Sequence, residues 1–253
     1  MSNVSLGYAG RKVIDGLSAR VPRAGITTLL GRNGSGKTTI LRALIKYIRP
    51  MGGVVYLGGR DLAQIDARDM PYLISYVPAE LQDELGISAY NVVTGARNRG
   101  GWVDEARARA ALEGLGIVSL HESTFSELST GQKRLVMMAR AIAIDAPTVL
   151  LDEPTSGLDP ANRLAIMRAI KGMARRNKSV IVATQDIEMA FESDWVIMIK
   201  AARLIGCGPS SRVMTSKLLG ELYDSDVSIR RFGARRLAIF SGSAKRPSAA
   251  EEL

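Results

Sequence analysis

A glycine-rich loop set between a β-rich apolar run and an apolar-periodic helix constrains this chain more than any other feature. Gly25 precedes ITTLL (Ile26–Leu30), and GRNGSGKTT follows at Gly31–Thr39. From Lys37, apolar residues recur at helical spacing (Ile40, Leu41, Leu44, Ile45, Ile48) until Pro50 and Gly52–Gly53 break the pattern. The loop fits G-x-x-x-x-G-K-[ST] in full, and strand, loop, helix is the context in which that pattern binds phosphate. Backbone N–H groups of Gly31, Asn33, Gly34, Ser35 and Gly36 are expected to wrap a β-phosphate, aided by the positive end of the helix. Lys37 is expected to reach the β- and γ-phosphates and Thr38 to offer its hydroxyl to Mg²⁺. Thr39 is within reach of an α-phosphate.

A second segment, TVLLDEP, completes the chemistry. Asp152 ends a run of apolar and β-branched residues, where a carboxylate can hold the shell of a Mg²⁺ ion. Glu153 beside it is the natural general base for an attacking water. Together the two segments describe a site for ATP and Mg²⁺. Just upstream, Leu128–Gln132 reads LSTGQ, a polar turn leading into a helix to Ile144.

The remaining pattern is strand alternating with helix. Strands are expected at Ser2–Tyr8, Val13–Leu17, Val54–Leu57, Leu73–Val77, Thr148–Leu151, Ser179–Ala183, Trp195–Ile199 and Leu204–Cys207. Helices are expected at Lys37–Ile48, Asn162–Arg175, Ile187–Glu192 and Ser216–Leu222. That alternation argues for a largely parallel sheet. From about residue 80 to 144 strand signals fade, and helical periodicity takes over at Tyr90–Thr94, Val103–Leu115 and Gln132–Ile144. The fold class expected from this pattern is α/β, a P-loop NTPase core with a mainly parallel sheet and an inserted helical subdomain. Residues 1–242 read as one domain, and 243–253 have a disordered composition.

The bulk numbers narrow the partners. The chain has 253 residues, 46% hydrophobic, and no run of 18 uncharged apolar residues. The N-terminus lacks an apolar h-region, which argues against secretion, and Cys207 is the sole cysteine. The net charge of +9 fits an anionic membrane leaflet nearby. Arg230, Arg231, Arg235 and Arg236 cluster around a single aromatic, Phe232, and not the series of rings that single-strand stacking needs, so nucleic acid is not expected.

The four motifs in order, GRNGSGKT, LSTGQ, LLDEP and SGLD (Ser156–Asp159), resemble those of an ABC-type ATPase, from about Val4 to Tyr223. Its signature usually reads LSGGQ, so Thr130 replaces a glycine. The resemblance implies an N-terminal antiparallel β subdomain and a head-to-tail dimer, homo- or heteromeric, with ATP sandwiched between glycine loop and signature. Ser129, Gly131 and Gln132 would then face the ATP of the opposite subunit, with Asp159 near that site. Tyr8 matches the aromatic residue that stacks on adenine. The opening and the closing ARLIGCGPSSRVMTSKLLGELY resemble the ATPases of iron–siderophore, haem and vitamin B12 importers. That implies a transmembrane permease, an external substrate-binding protein and a place on the cytoplasmic side of the inner membrane.

Two departures bear on catalysis. The family's Q-loop reads P-Q after a strand, and here it reads Pro78–Ala79, with Glu80 or Gln82 as possible substitutes. The family's His-Asp after the next strand is Gln185–Asp186. Glutamine keeps a donor and an acceptor but carries no charge. His121, the sole histidine, lies in the helical insertion and reads as a surface residue. Weak hydrolysis is the expectation. Two further readings stay open: a nucleotide-binding subunit paired with a competent ATPase, and a soluble ABC ATPase outside transport.

Overall fold

A computed structural model describes residues 1–81, 86–98, 101–233 and 235–241. Gln82, Lys245, Arg246 and the rest of the tail lie outside the described residues.

The N-terminal strands β1 (Ser2–Tyr8) and β2 (Arg11–Leu17) form an antiparallel pair closed by a turn at Ala9–Gly10, both with positive φ. β3 (Gly25–Gly31) runs into the glycine loop, and α1 (Lys37–Leu44) leaves it. The apolar pattern predicts helix to Ile48. The helix stops at Leu44 because Lys46 adopts a left-handed φ of 61°. β4 (Gly52–Val54) joins β1 to complete a β2-β1-β4 sheet. The expected strand Val54–Leu57 is broken, its second half being β5 (Tyr56–Leu57), which pairs with β6 (Arg60–Asp61).

α2 (Met70–Leu73) leads into β7 (Ile74–Val77). The inserted region carries α3 (Ala89–Thr94), a small hairpin of β8 (Arg97–Asn98) and β9 (Gly101–Trp102), α4 (Glu105–Gly114) and α5 (Thr130–Ile144). The core resumes with β10 (Thr148–Asp152), α6 (Pro160–Arg175), β11 (Ser179–Thr184), α7 (Ile187–Glu192), β12 (Trp195–Lys200) and β13 (Arg203–Pro209).

The main sheet has the order β13-β12-β3-β11-β10-β7, parallel except for β13. Every residue of SVIVAT in β11 is buried, as expected of a strand covered on both faces. One apolar cluster, with α5 and α6, covers one side; the other side packs on α1 and the N-terminal strands. Fully burying a residue such as Leu150, Leu151 or Val182 stabilises the fold by about 1.5–3 kcal/mol. That packing fixes the strand ends. The register sets Asp152 beside Ala183, and Thr184 beside Leu30, so the C-terminal ends of β10, β11 and β3 lie together. Ligands of open α/β sheets bind outside such ends.

The chain closes with α8 (Ser210–Val213), α9 (Ser216–Tyr223) and a hairpin, β14 (Asp226–Phe232) with β15 (Arg235–Ser241), that the sequence reading missed. Arginines interrupt its alternation: Arg231 and Arg236 face each other across the ladder. Arg236 is held on the Phe191 carbonyl and the Ser210 hydroxyl, with its guanidinium over the Phe191 ring.

Candidate nucleotide site

The glycine loop is built by local backbone geometry. Gly36 caps α1 at a left-handed φ of 100°, and a Cβ there would meet Ile14 at 2.5 Å. Glycine is thus required both by the turn and by the close approach of β2. The Lys37 ammonium is buried. It donates to the Gly31 carbonyl at 2.9 Å and the Arg32 carbonyl at 3.2 Å, and lies 3.3 Å from Glu153 Oε1. Ser35 Oγ is buried with no partner. Thr39 is buried, Thr38 is half-buried, and Asn33 and Gly34 are exposed at the loop's tip.

Asp152 is 1% exposed, with the Tyr76 hydroxyl donating to Oδ2 at 3.4 Å and Oδ1 unpartnered. Burial pushes its carboxyl above the usual range, countered by the hydroxyl of Thr38. Burial likewise raises the Tyr76 phenol to about 12, with Asp152 adding to it. An orphaned carboxylate oxygen beside a threonine hydroxyl is the oxygen-rich donor set that Mg²⁺ takes. The residues present therefore fit that ion.

Glu153 follows β10 with a φ of 46°, uncommon for a side chain of this size. Its N–H donates to the Ala183 carbonyl at 2.8 Å, which ties the turn to β11. Its Oε2 accepts from the Thr184 hydroxyl at 3.0 Å, and Thr184 Oγ1 in turn accepts from Asp186 N–H at 3.0 Å. Sequence reasoning missed Thr184; its place at the end of a buried strand beside a polar pair was the available signal.

Gln185 is exposed, and its backbone carbonyl accepts from the Tyr223 hydroxyl at 3.1 Å. Burial and the nearby Asp186 and Glu153 raise that phenol to about 12, so it stays a donor. The next residue, Asp224, pairs with Arg32 of the glycine loop at 3.2 Å and with Lys200. The end of α9 thus touches both loops. Tyr223→Phe deletes one partly exposed hydrogen bond, expected to cost about 0.5–1 kcal/mol. In thermal unfolding the midpoint should fall by no more than about 4 °C; a larger fall would mean that the hydroxyl holds more than this loop.

The signature residues form a neighbouring cluster. Ser129 caps α5: its Oγ accepts from Gln132 N–H, and Gln132 Oε1 accepts from Ser129 N–H. The serine hydroxyl proton stays available, since a hydroxyl both donates and accepts. Thr130 sits in the first helical turn without a positive φ, so glycine's freedom is not needed there. Gly131 is closely packed, for a Cβ would fall 2.8 Å from Asn162 Nδ2. Asp159 caps α6 through Ala161 and Asn162 N–H and also accepts from the Asn162 side chain at 2.6 Å. These bonds, the Asn162 backbone foremost, hold its carboxyl below the usual range.

Tyr8, exposed at the end of β1, accepts from Arg42 of α1 at 3.3 Å. Ala79 offers only its carbonyl, to Arg134 at 3.3 Å. His121 is exposed, as the sequence suggests, with Nδ1 3.0 Å from the Val118 carbonyl.

The family model described as ABC transporter matches residues 14–156. The chain belongs to the ABC transporter ATP-binding subunits. An iron chelatin transport ATP-binding protein of Helicobacter pylori is 32% identical over 237 residues, covering 89% of this chain and 92% of the relative. A hemin import ATP-binding protein of Streptomyces coelicolor is 31% identical over 228 residues, covering 87% and 81%. A metal-chelate type ABC transporter solved in an inward-facing conformation matches the fold with a TM-score of 0.78, at 24% identity over 95% of both chains. No described helix of this ABC subunit is long and apolar enough to cross a membrane.

Proposed function

We propose that this chain is the ATP-hydrolysing subunit of an importer for iron chelates of the siderophore or haem class. The observation that carries the chemistry is Glu153. One carboxylate oxygen is held by Thr184 and the other faces Lys37, near Asp152, whose Oδ1 is unpartnered. The cargo class rests on the relatives named above.

Glu153 takes the proton of the attacking water, while Thr184 orients its carboxylate. Lys37 leaves the Gly31 and Arg32 carbonyls to meet the β- and γ-phosphates of ATP. Thr38 and Asp152 would hold Mg²⁺, which when bound supplies charge to the phosphate oxygens. Tyr8 stacks on adenine. Gln185 supplies a neutral donor beside the γ-phosphate. Ser129, Gly131, Gln132 and Asp159 serve the ATP of a second ATPase subunit. A transmembrane permease is assigned to the segment after Ala79, described at residues 86–97. Tyr90 of that segment lines a concavity of about 520 Å³ together with Arg109, Leu112 and His121. The whole lies on the cytoplasmic side of the membrane, with a binding protein supplying cargo outside.

Ala79 brings no side-chain amide and Gln185 no charge, so the isolated chain is expected to turn over ATP below about 1 s⁻¹, the low end for enzymes. A phosphate-release assay on the purified chain checks this, and a faster rate would mean that neither replacement limits catalysis. The Ala79 replacement also favours a second reading, pairing with a better-equipped sister subunit. Co-purification with the permease and any second ATPase separates the two.

A further inference from the structure

We propose that Arg134 is a positioning residue for ATP hydrolysis, its guanidinium fork holding the loop of Glu153 and the loop of Ala79 in one register with the signature helix. The proposal rests on the reading above that this chain hydrolyses ATP.

Arg134 lies in the second turn of α5, five residues after the cap Ser129. Its Nη1 donates to the Glu153 carbonyl and its Nη2 to the Ala79 carbonyl. Those carbonyls follow β10 and β7, which are adjacent parallel strands. One planar side chain therefore joins three loops: the one carrying the base, the one lacking its glutamine, and the signature that serves the opposite ATP.

The placement is unfavourable unless the fork is used. The guanidinium is desolvated, with Nε buried and unpartnered. Burial lowers its proton affinity, and the Glu153 and Asp152 carboxylates oppose that fall. A tie between backbone segments alone needs no charge here.

The gain lies at Glu153. Its peptide adopts a left-handed φ of 46°, and such conformations persist when neighbours over-determine them. The Ala183 carbonyl fixes the N–H side of that residue, and Arg134 fixes the carbonyl side. Where the Q-loop side chain is absent, the guanidinium still holds that loop through its backbone. Arginine suits this because its fork reaches two acceptors in fixed geometry, which lysine cannot do.

The test uses the full chain with Arg134→Gln and Arg134→Lys. In steady-state assays Arg134→Gln should lower kcat about 10- to 100-fold, the scale of a small misplacement of a catalytic group. Affinity for a fluorescent ATP analogue should stay within about threefold. Arg134→Lys should stay as slow as Arg134→Gln to within about threefold, since charge without the fork does not position two loops. Hydrogen exchange should quicken in the peptides spanning 74–81 and 150–157, with α1 and β12 unchanged. Unchanged kcat in a folded Arg134→Gln protein would overturn the proposal. So would recovery by Arg134→Lys, or a parallel loss of kcat, ATP affinity and thermal stability. If the wild-type chain shows no turnover above a Glu153→Gln blank, the hydrolysis reading fails by itself, and the exchange measurement still decides whether Arg134 holds the two loops.

Discussion

Glu153→Gln is expected to remove nearly all ATP turnover and leave ATP bound. The loss should be about 10²- to 10⁴-fold in kcat, the range for a positioned general base. The exchange is isosteric. The new amide oxygen can still accept from Thr184, so the loop geometry is preserved while the proton acceptor is lost. Binding should be unchanged or tighter. Without ATP, Lys37 is engaged by Glu153 Oε1 at 3.3 Å as well as by two carbonyls, and phosphate must displace those partners. Neutralising Glu153 weakens the competition. Nucleotide titration beside phosphate release reads both effects. Turnover within tenfold of wild type would remove Glu153 from the role of base.

Much of this site was legible because its groups are consecutive in the chain. A loop that wraps phosphate must be glycine-rich, and a lysine one position inside a helix has its charge aimed at that loop. Asp152 and Glu153 were readable as polar residues ending a buried strand. The groups that hold them were not. Thr184, Arg134 and Tyr223 meet the site only through the sheet order, from β11, α5 and α9, and no local periodicity reports such pairings. Asp159 and Gln132 show the converse. The family resemblance implies that they face another subunit, while within this chain both take part in capping helices. A residue type favoured for capping and one favoured for phosphate contact look the same in sequence, because both present a polar side chain at a helix start. The C-terminal hairpin was hidden for a different reason. Arg236 is held there by a carbonyl, a hydroxyl and a ring face, so an arginine stands where the alternation that signals a strand would place an apolar residue.

Lys37→Ala is expected to weaken ATP binding about 100-fold, corresponding to about 2.7 kcal/mol, and also to destabilise the free protein. The first effect follows from charge-assisted hydrogen bonds worth about 1.5–3 kcal/mol each, reduced because Lys37 already has partners before ATP arrives. The second arises in the ATP-free fold. The ammonium is 6% exposed and the Glu153 side chain 17%, so the variant strands a mostly buried carboxylate and takes a donor from two carbonyls. Breaking a buried pair costs about 3–5 kcal/mol. Residual exposure of Glu153 and its bond from Thr184 place this case at or below the lower end. The double variant Lys37→Ala with Glu153→Gln separates the two effects. It has no stranded charge, so stability should recover by at least about 1 kcal/mol relative to Lys37→Ala, a coupling that residues in contact produce. ATP affinity should not recover, because the phosphates still lack their cation. Chemical denaturation and nucleotide titration of the two variants give both numbers. Additive stabilities would show that the Lys37–Glu153 contact stores no energy in the free protein.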